Sequence, residues 1–159
     1  MAVSITLTPT EARAAILTGA ERQIDALTRG LADKHGAGGE DSWTLHIEGA
    51  AGEMAAAKAL DRYWQMPVGT FKAGGDVGTL QVRTRSRHDY ELIVREDDRD
   101  DDRFILVTGT LPRFQIHGWI FGRDAKRPQW LREHGGRAPA FFVPHAELRP
   151  LIELDAPVR

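Results

Sequence analysis

Within the stretch GGDVGTLQVRTRSR, residues 74–87, a glycine turn delivers one aspartate, Asp76. A run of alternating character follows, with Gln81, Arg83, Arg85 and Arg87 on one face and Leu80, Val82 and Thr84 on the other. A carboxylate, an amide and a row of guanidiniums on one hairpin suit phosphodiester chemistry. That reaction needs a metal ion to activate water and to neutralise charge developing on phosphate. Magnesium prefers hard oxygen ligands and keeps some of its waters. The chain offers Glu53 from a helix, Asp76 from the turn, the Gln81 amide oxygen and the backbone carbonyl of Val82. Strand side chains alternate with period two, so Arg83 points the same way as Gln81. Its planar guanidinium suits a bidentate clamp on phosphate. Arg85, Arg87 and then His88 extend this face for contacts to a nucleic-acid backbone, which give affinity without sequence specificity.

The elements that must position these groups are legible from pattern. TPTE at 8–11 reads as a capping box, with Pro9 in the first turn. A helix over 8–35 then carries Leu17, Ala20, Ile24, Leu27 and Leu31 as one apolar stripe, expected to pack on the core or on a second copy in a homodimer. Glycines in KHGAGGEDS end it. A second helix from residue 42 or 43 to 63 is thin, with Gly49, Ala50, Ala51, Gly52, Ala55, Ala56 and Ala57. Mid-helix glycine costs about 1 kcal/mol relative to alanine, which close packing would offset. Glu53 shares its face with Gly49, Gly52, Ala56, Ala57 and Leu60, so it belongs on the packed side or its border, while Glu48 is expected to face water. Strands are expected at 68–72, 80–85, 90–94, 104–109, 114–122 and 140–144. The charge run REDDRDDDR at 95–103 reads as a solvated loop, and 123–136 as a short helical stretch. HAELRPLIEL is read as a terminal turn of helix, Trp119 and Trp130 as core, and His117 as a strand residue.

A glutamate on a thin helix followed by D-x4-Q-x-R resembles the PD-(D/E)XK nuclease superfamily. GAAGEMAAAKAL looks like its first motif, carried by Glu53; GGDVGTLQVRTR looks like its second and third, carried by Asp76, Gln81 and Arg83. The resemblance covers roughly two thirds of the chain, residues 43–144. It implies an α/β fold with a mixed β-sheet flanked by helices, an α-β-β-β-α-β restriction-endonuclease-like core with an extra N-terminal helix. It also implies a metal-dependent DNA nuclease holding Mg2+, or Mn2+, through Glu53, Asp76, Gln81 and Val82. Two positions depart from the pattern. Gln81 stands where the superfamily has an acidic ligand, and Arg83 where it has lysine. Arginine does not deprotonate in a protein, so the general base would be metal-bound hydroxide or Glu53. The chain is also similar to small uncharacterised proteins of phage genomes, a likeness that implies no function.

The 159 residues favour a single domain, 1–159. Net charge is −2, so nucleic acid would be held by a local patch and not by a global field. Cysteine is absent, which excludes disulfides and thiol chemistry and suits a cytoplasmic setting, that of a bacterium or a phage-infected host cell. No segment reads as a signal peptide or a membrane span. The same residues have quieter readings. An aspartate after two glycines is an ordinary turn residue, and charges along a strand guard a sheet edge. Two rival functions stay open beside the nuclease: a catalytically degenerate module that binds nucleic acid or protein, and a phage structural or assembly protein.

Overall fold

The computed structural model describes residues 1–30, 41–69 and 74–155. Its elements are β1 (Val3–Thr6), α1 (Pro9–Thr28), α2 (Ser42–Ala59), β2 (Leu80–Arg85), β3 (Leu92–Arg95), β4 (Arg103–Thr110), β5 (Arg113–Phe121), α3 (Gly122–Ala125), β6 (Leu131–Arg132) and β7 (Ala140–Val143). The main sheet runs β1-β5-β4-β2 and is mixed, with β2 parallel to β4 and the other pairs antiparallel. A smaller antiparallel sheet runs β3-β7-β6. This is the α/β class with a mixed sheet.

Strand β4 explains the layering. Its run FILVTG is apolar without alternation, as expected of a strand covered on both faces. Ile105 and Val107 pack with the alanines of α2, Leu80, Val82, Phe114 and Ile116. Phe104 and Leu106 pack on the opposite side with Leu92, Val94, Phe141 and Val143 of the small sheet. The main sheet therefore lies between α2 and the small sheet, with α1 packed on α2.

The thin helix has its reason in these contacts. A Cβ on Gly52 would stand 1.9 Å from Oγ1 of Thr84 in β2, so only hydrogen allows this approach. Gly49, by contrast, meets nothing within 4 Å. Gly19 in α1 plays the same part against α2, where a Cβ would lie 2.4 Å from the Ile47 Cα. The capping box forms: Glu11 N–H donates to Thr8 Oγ1 (3.2 Å) and Thr8 N–H to Glu11 Oε2 (2.7 Å).

Several expectations are corrected. In α1 the buried residues are Ala15, Thr18, Gly19 and Gln23, while Leu17, Ile24 and Leu27 of the apolar stripe are more than half exposed. Close helix–helix approach through Gly19 turns the small face inward, so the stripe does not enter the core. The helix ends at Thr28; Leu31 and the rest of 31–35 lie outside the described residues, as does most of the glycine-rich break. Strand β1 was not expected. Residues 68 and 69 are not strand, and 70–72 of that expected strand lie outside the described residues. Helix α2 stops at Ala59, and Asp61 turns back with φ 51°. The helix expected over 123–136 is a single turn, because Arg127 precedes Pro128 and is extended (φ −98°, ψ 136°). A 3-10 turn then buries Trp130 and β6 follows. The C-terminal helical turn is two short 3-10 turns, His145–Glu147 and Leu151–Glu153.

Gly52→Ala is expected to destabilise the fold by about 1–3 kcal/mol, since the methyl group forces α2 off β2. Urea unfolding of the two proteins measures it; equal midpoints would remove the packing argument for the thin helix.

Candidate active site

The glycines before Asp76 shape a hairpin in miniature. Val77 bridges Leu80 across the turn, with Leu80 N–H donating to the Val77 carbonyl at 3.0 Å and Gly78 at φ 60°. Asp76 N–H donates to the Leu80 carbonyl at 2.7 Å. A Cβ on Gly75 would lie 2.5 Å from the Leu80 backbone, so the residue before the aspartate must be small. The Asp76 side chain then continues the ladder: Oδ2 accepts the Val82 N–H at 2.7 Å. Strand β2 is the last of its sheet, and its other edge pairs with β4. Val82 thus turns its N–H away from β4, and its carbonyl, on the same side of the strand, faces that open edge beside Asp76.

Glu53 arrives from α2 and is buried, 6% exposed. Arg22 of α1 clamps it with two bonds, Nη1 to Oε1 (2.8 Å) and Nη2 to Oε2 (2.7 Å). Trp64 Nε1 also donates to Oε2 at 3.0 Å. The Arg22 Nε donates to the Pro67 carbonyl at 2.7 Å, which fixes the guanidinium in place. Both carboxyl groups are pushed above the usual carboxylate range. For Glu53 the largest cause is burial, reinforced by the negative charge of Asp76 and opposed by Arg22 and Trp64. For Asp76 it is again burial, opposed by the Val82 N–H and by the charges of Arg83 and Arg22. Helix α2 and the turn before β2 therefore bring Glu53 and Asp76 within electrostatic range of each other, around one guanidinium. Oδ1 of Asp76 accepts no hydrogen bond among the described residues.

The polar face of β2 points to the other side. Gln81 Nε2 donates to Asp102 at 3.4 Å. Arg83 grips Asp98 at 2.8 and 3.0 Å and lies 4.9 Å over the Phe104 ring. Arg85 donates to the Glu91 carbonyl at 2.7 Å and covers the Tyr90 ring. Arg87 lies beyond the strand, exposed and paired with Asp89. His88 is turned inward to the Thr108 hydroxyl at 2.8 Å. The expected row of guanidiniums is thus divided among local partners. The acidic run is correspondingly more than a solvated loop. Asp98 also caps the Arg95 N–H, and Asp100 and Asp101 hold Lys126 and Arg123. Glu48 does not simply face water either: its Oε2 accepts the Leu111 N–H at 3.0 Å, at the turn from β4 to β5.

Sequence reading missed Arg22, Trp64, Asp98 and Asp102. Arg22 had a signal. Ala15, Gly19 and Arg22 recur at spacings of four and three on the small face of α1, opposite the apolar stripe. Among the described residues no group of three or more histidine, aspartate or glutamate side chains is placed to hold a metal ion. The oxygen donors gathered at the β2 edge are the Asp76 carboxylate and the Val82 carbonyl, with Gln81 next in sequence. They fit a hard cation; Glu53, with both oxygens taken by Arg22, fits one less well. No family model, curated protein or solved structure matches the chain.

Two stability predictions separate the carboxylates. Arg22→Met leaves Glu53 buried without its partner and is expected to cost about 3–5 kcal/mol, read by urea unfolding. An unchanged midpoint would show the pair to be unimportant to the fold. Asp76 has the opposite sign. A carboxyl group raised on folding stabilises fully below its unfolded pKa, and that contribution is lost as pH rises through the folded value. Asp76→Asn keeps the acceptor for Val82 N–H and removes the charge. Its melting temperature is expected to exceed the wild type at neutral pH and to fall below or meet it in acid. A variant less stable at neutral pH would show that the ionised carboxylate is held favourably.

Proposed function

We propose that the chain is a metal-dependent nuclease of the restriction-endonuclease-like type, hydrolysing DNA phosphodiester bonds. The observation that carries this reading is the meeting of Glu53 and Asp76. They are 23 positions apart in sequence, on separate elements, and lie near one guanidinium, Glu53 buried and Asp76 half-buried, with an oxygen of Asp76 left over beside the Val82 carbonyl. Burial of two carboxylates so close is costly without further positive charge. Mg2+ or Mn2+ would sit at Asp76 and the Val82 carbonyl, with Gln81, turned toward Asp102, outside this pair. Bound there, it would supply Lewis-acid activation of water and offset charge on the phosphate.

The chain's own residues have these parts. Asp76 is desolvated and pinned by Val82 N–H, so its free oxygen is held at the sheet edge. Arg22 keeps Glu53 oriented and neutralises it, which makes Glu53 a holder of site geometry more than a direct ligand. Arg83 is tied to Asp98; a phosphate that displaces this partly exposed carboxylate would take over its two bonds. The exposed Leu17–Leu27 face of α1 would serve as the dimer contact in this reading.

The degenerate binding module remains as a second reading on one specific observation. Both oxygens of Glu53 and the Arg83 guanidinium are already satisfied within the chain. Plasmid and single-stranded DNA, incubated with Mg2+ or Mn2+ and wild-type protein or Asp76→Asn, decide between them. The nuclease reading expects cleavage by the wild type, its loss by at least about a hundredfold in the variant, and a metal-induced rise in melting temperature for the wild type alone. Salt-sensitive DNA retention without cleavage, equal in both proteins, would replace the nuclease with the binding module.

A further inference from the structure

At the far end of β2 from Asp76 the chain forms a second polar cleft, of about 490 Å3, between the turn after β2 and the turn joining β4 to β5. Ser86 and His88 line it from one side, and Thr110 and Arg113 from the other. Among the described residues no carboxylate lines it. Arg113 forms no side-chain hydrogen bond or ion pair among the described residues, unlike Arg83, Arg85 and Arg87. Two acidic groups bonded to or neighbouring these residues are occupied. Glu48 behind the cleft caps the Leu111 N–H, and Asp89 is paired with Arg87.

The imidazole in this cleft is unusually well held. His88 Nδ1 meets Thr108 Oγ1 at 2.8 Å, and the same hydroxyl meets His117 Nε2 at 2.6 Å. Thr108 is fully buried, and the His117 ring lies against His145 with centroids 4.3 Å apart. His117 is pushed down to about 4, chiefly by burial and then by the nearby His145 and His88, so it is neutral at ordinary pH. This direction matters for the relay. A charged His88 carries a proton on each nitrogen, so its Nδ1–H must donate to the Thr108 oxygen. The Thr108 hydroxyl then donates to His117 Nε2, which a neutral His117 can accept. The arrangement accommodates positive charge on His88 and leaves its Nε2–H free for a ligand. The β4–β5 turn is equally fixed: a Cβ on Gly109 would lie 2.4 Å from the Arg113 carbonyl, and Glu48 anchors the Leu111 amide.

We propose that this cleft binds a phosphate-bearing ligand, with the Arg113 guanidinium as its cationic contact and the His88 imidazole and the Ser86 and Thr110 hydroxyls as further donors. A guanidinium and an imidazole N–H without an anionic partner among the described residues, together with two hydroxyl groups, match the oxygens of a phosphate group. Thr108 acts as a positioning residue for His88. The proposal is independent of the metal reading at Asp76, because the cleft shares no residue with that site. The ligand is either a free phosphate or a phosphate of a nucleic-acid strand, and both present the same oxygens.

Amide and imidazole NMR shifts of the full chain, titrated with inorganic phosphate and separately with a 5′-phosphorylated trinucleotide, test it. Shifts are expected to cluster at Ser86, His88, Thr110 and Arg113. Affinity is expected to fall about tenfold in Arg113→Gln and in His88→Gln, each checked for an intact spectrum. Thr108→Val is expected to weaken binding severalfold and Thr108→Ser to restore it, a rescue that a packing role alone does not give. Tighter binding of the trinucleotide than of phosphate identifies a strand as the source; comparable binding of both identifies phosphate itself. No shift at these residues with either ligand, or affinity unchanged by Arg113→Gln, overturns the proposal.

Discussion

Arg22 and Glu53 form a nearly buried, two-bond ion pair joining α1 to α2, with Trp64 and the Pro67 carbonyl as its remaining partners. A pair removed from water is tolerable only when its geometry is good and its other donors and acceptors are met. Here they are. The guanidinium spends its donors on Glu53 and Pro67, and the carboxylate accepts from Arg22 and the indole. Much else follows from this one contact. It sets which face of α1 turns inward, how closely α1 can approach α2 through Gly19, and where the chain after α2 must pass. It also places a fixed positive charge beside Asp76, which would otherwise be a desolvated carboxylate facing another.

The main sheet carries two different chemistries on its two sides. Toward α2, β2 presents Leu80, Val82 and Thr84 to alanine and glycine, and the carboxylates gather at its open edge. Toward the small sheet it presents Gln81, Arg83 and Arg85 to an acidic loop and to aromatic rings. Asp76 lies where the two sides meet and feels the charges of both Arg22 and Arg83. A phosphate approaching this edge would have to compete with Asp98 for Arg83. That competition involves partly exposed groups, which water and salt weaken. The Glu53 pair is more deeply enclosed and does not exchange partners so readily.

The second cleft differs in kind. Its arginine has no anionic partner among the described residues, and its histidine is braced by a buried hydroxyl instead of a carboxylate. A hydroxyl between two imidazoles can pass its own proton either way, so the relay adapts to the charge on His88 without placing a net charge in the interior. This leaves the chain with one end of β2 rich in carboxylate and the other rich in cationic donors.

The sequence by itself determined the α/β class, the capping box, the thin second helix and most strands of the mixed sheet. Each depends on local chemistry: Thr8 and Glu11 three residues apart, Gly52 among alanines, the unbroken apolar run of β4. It also marked Glu53 and Asp76 as the carboxylates to watch, since a glutamate surrounded by alanines is an unusual setting and the aspartate precedes Gln81 and Arg83 on the next strand. Only the tertiary structure decided where charges find partners. The apolar stripe of α1 faces outward because Gly19 and Arg22 claim the inner face. Arg83, Arg85 and Arg87, equivalent by alternation, divide among Asp98, the Glu91 carbonyl and Asp89, and His88 turns away to Thr108. Apart from the local Arg87–Asp89 pair, these choices join residues 6 to 31 positions apart, across elements whose packing no period or spacing encodes. Periodicity reports which face a side chain occupies; which oppositely charged group waits on that face is settled only when the layers close.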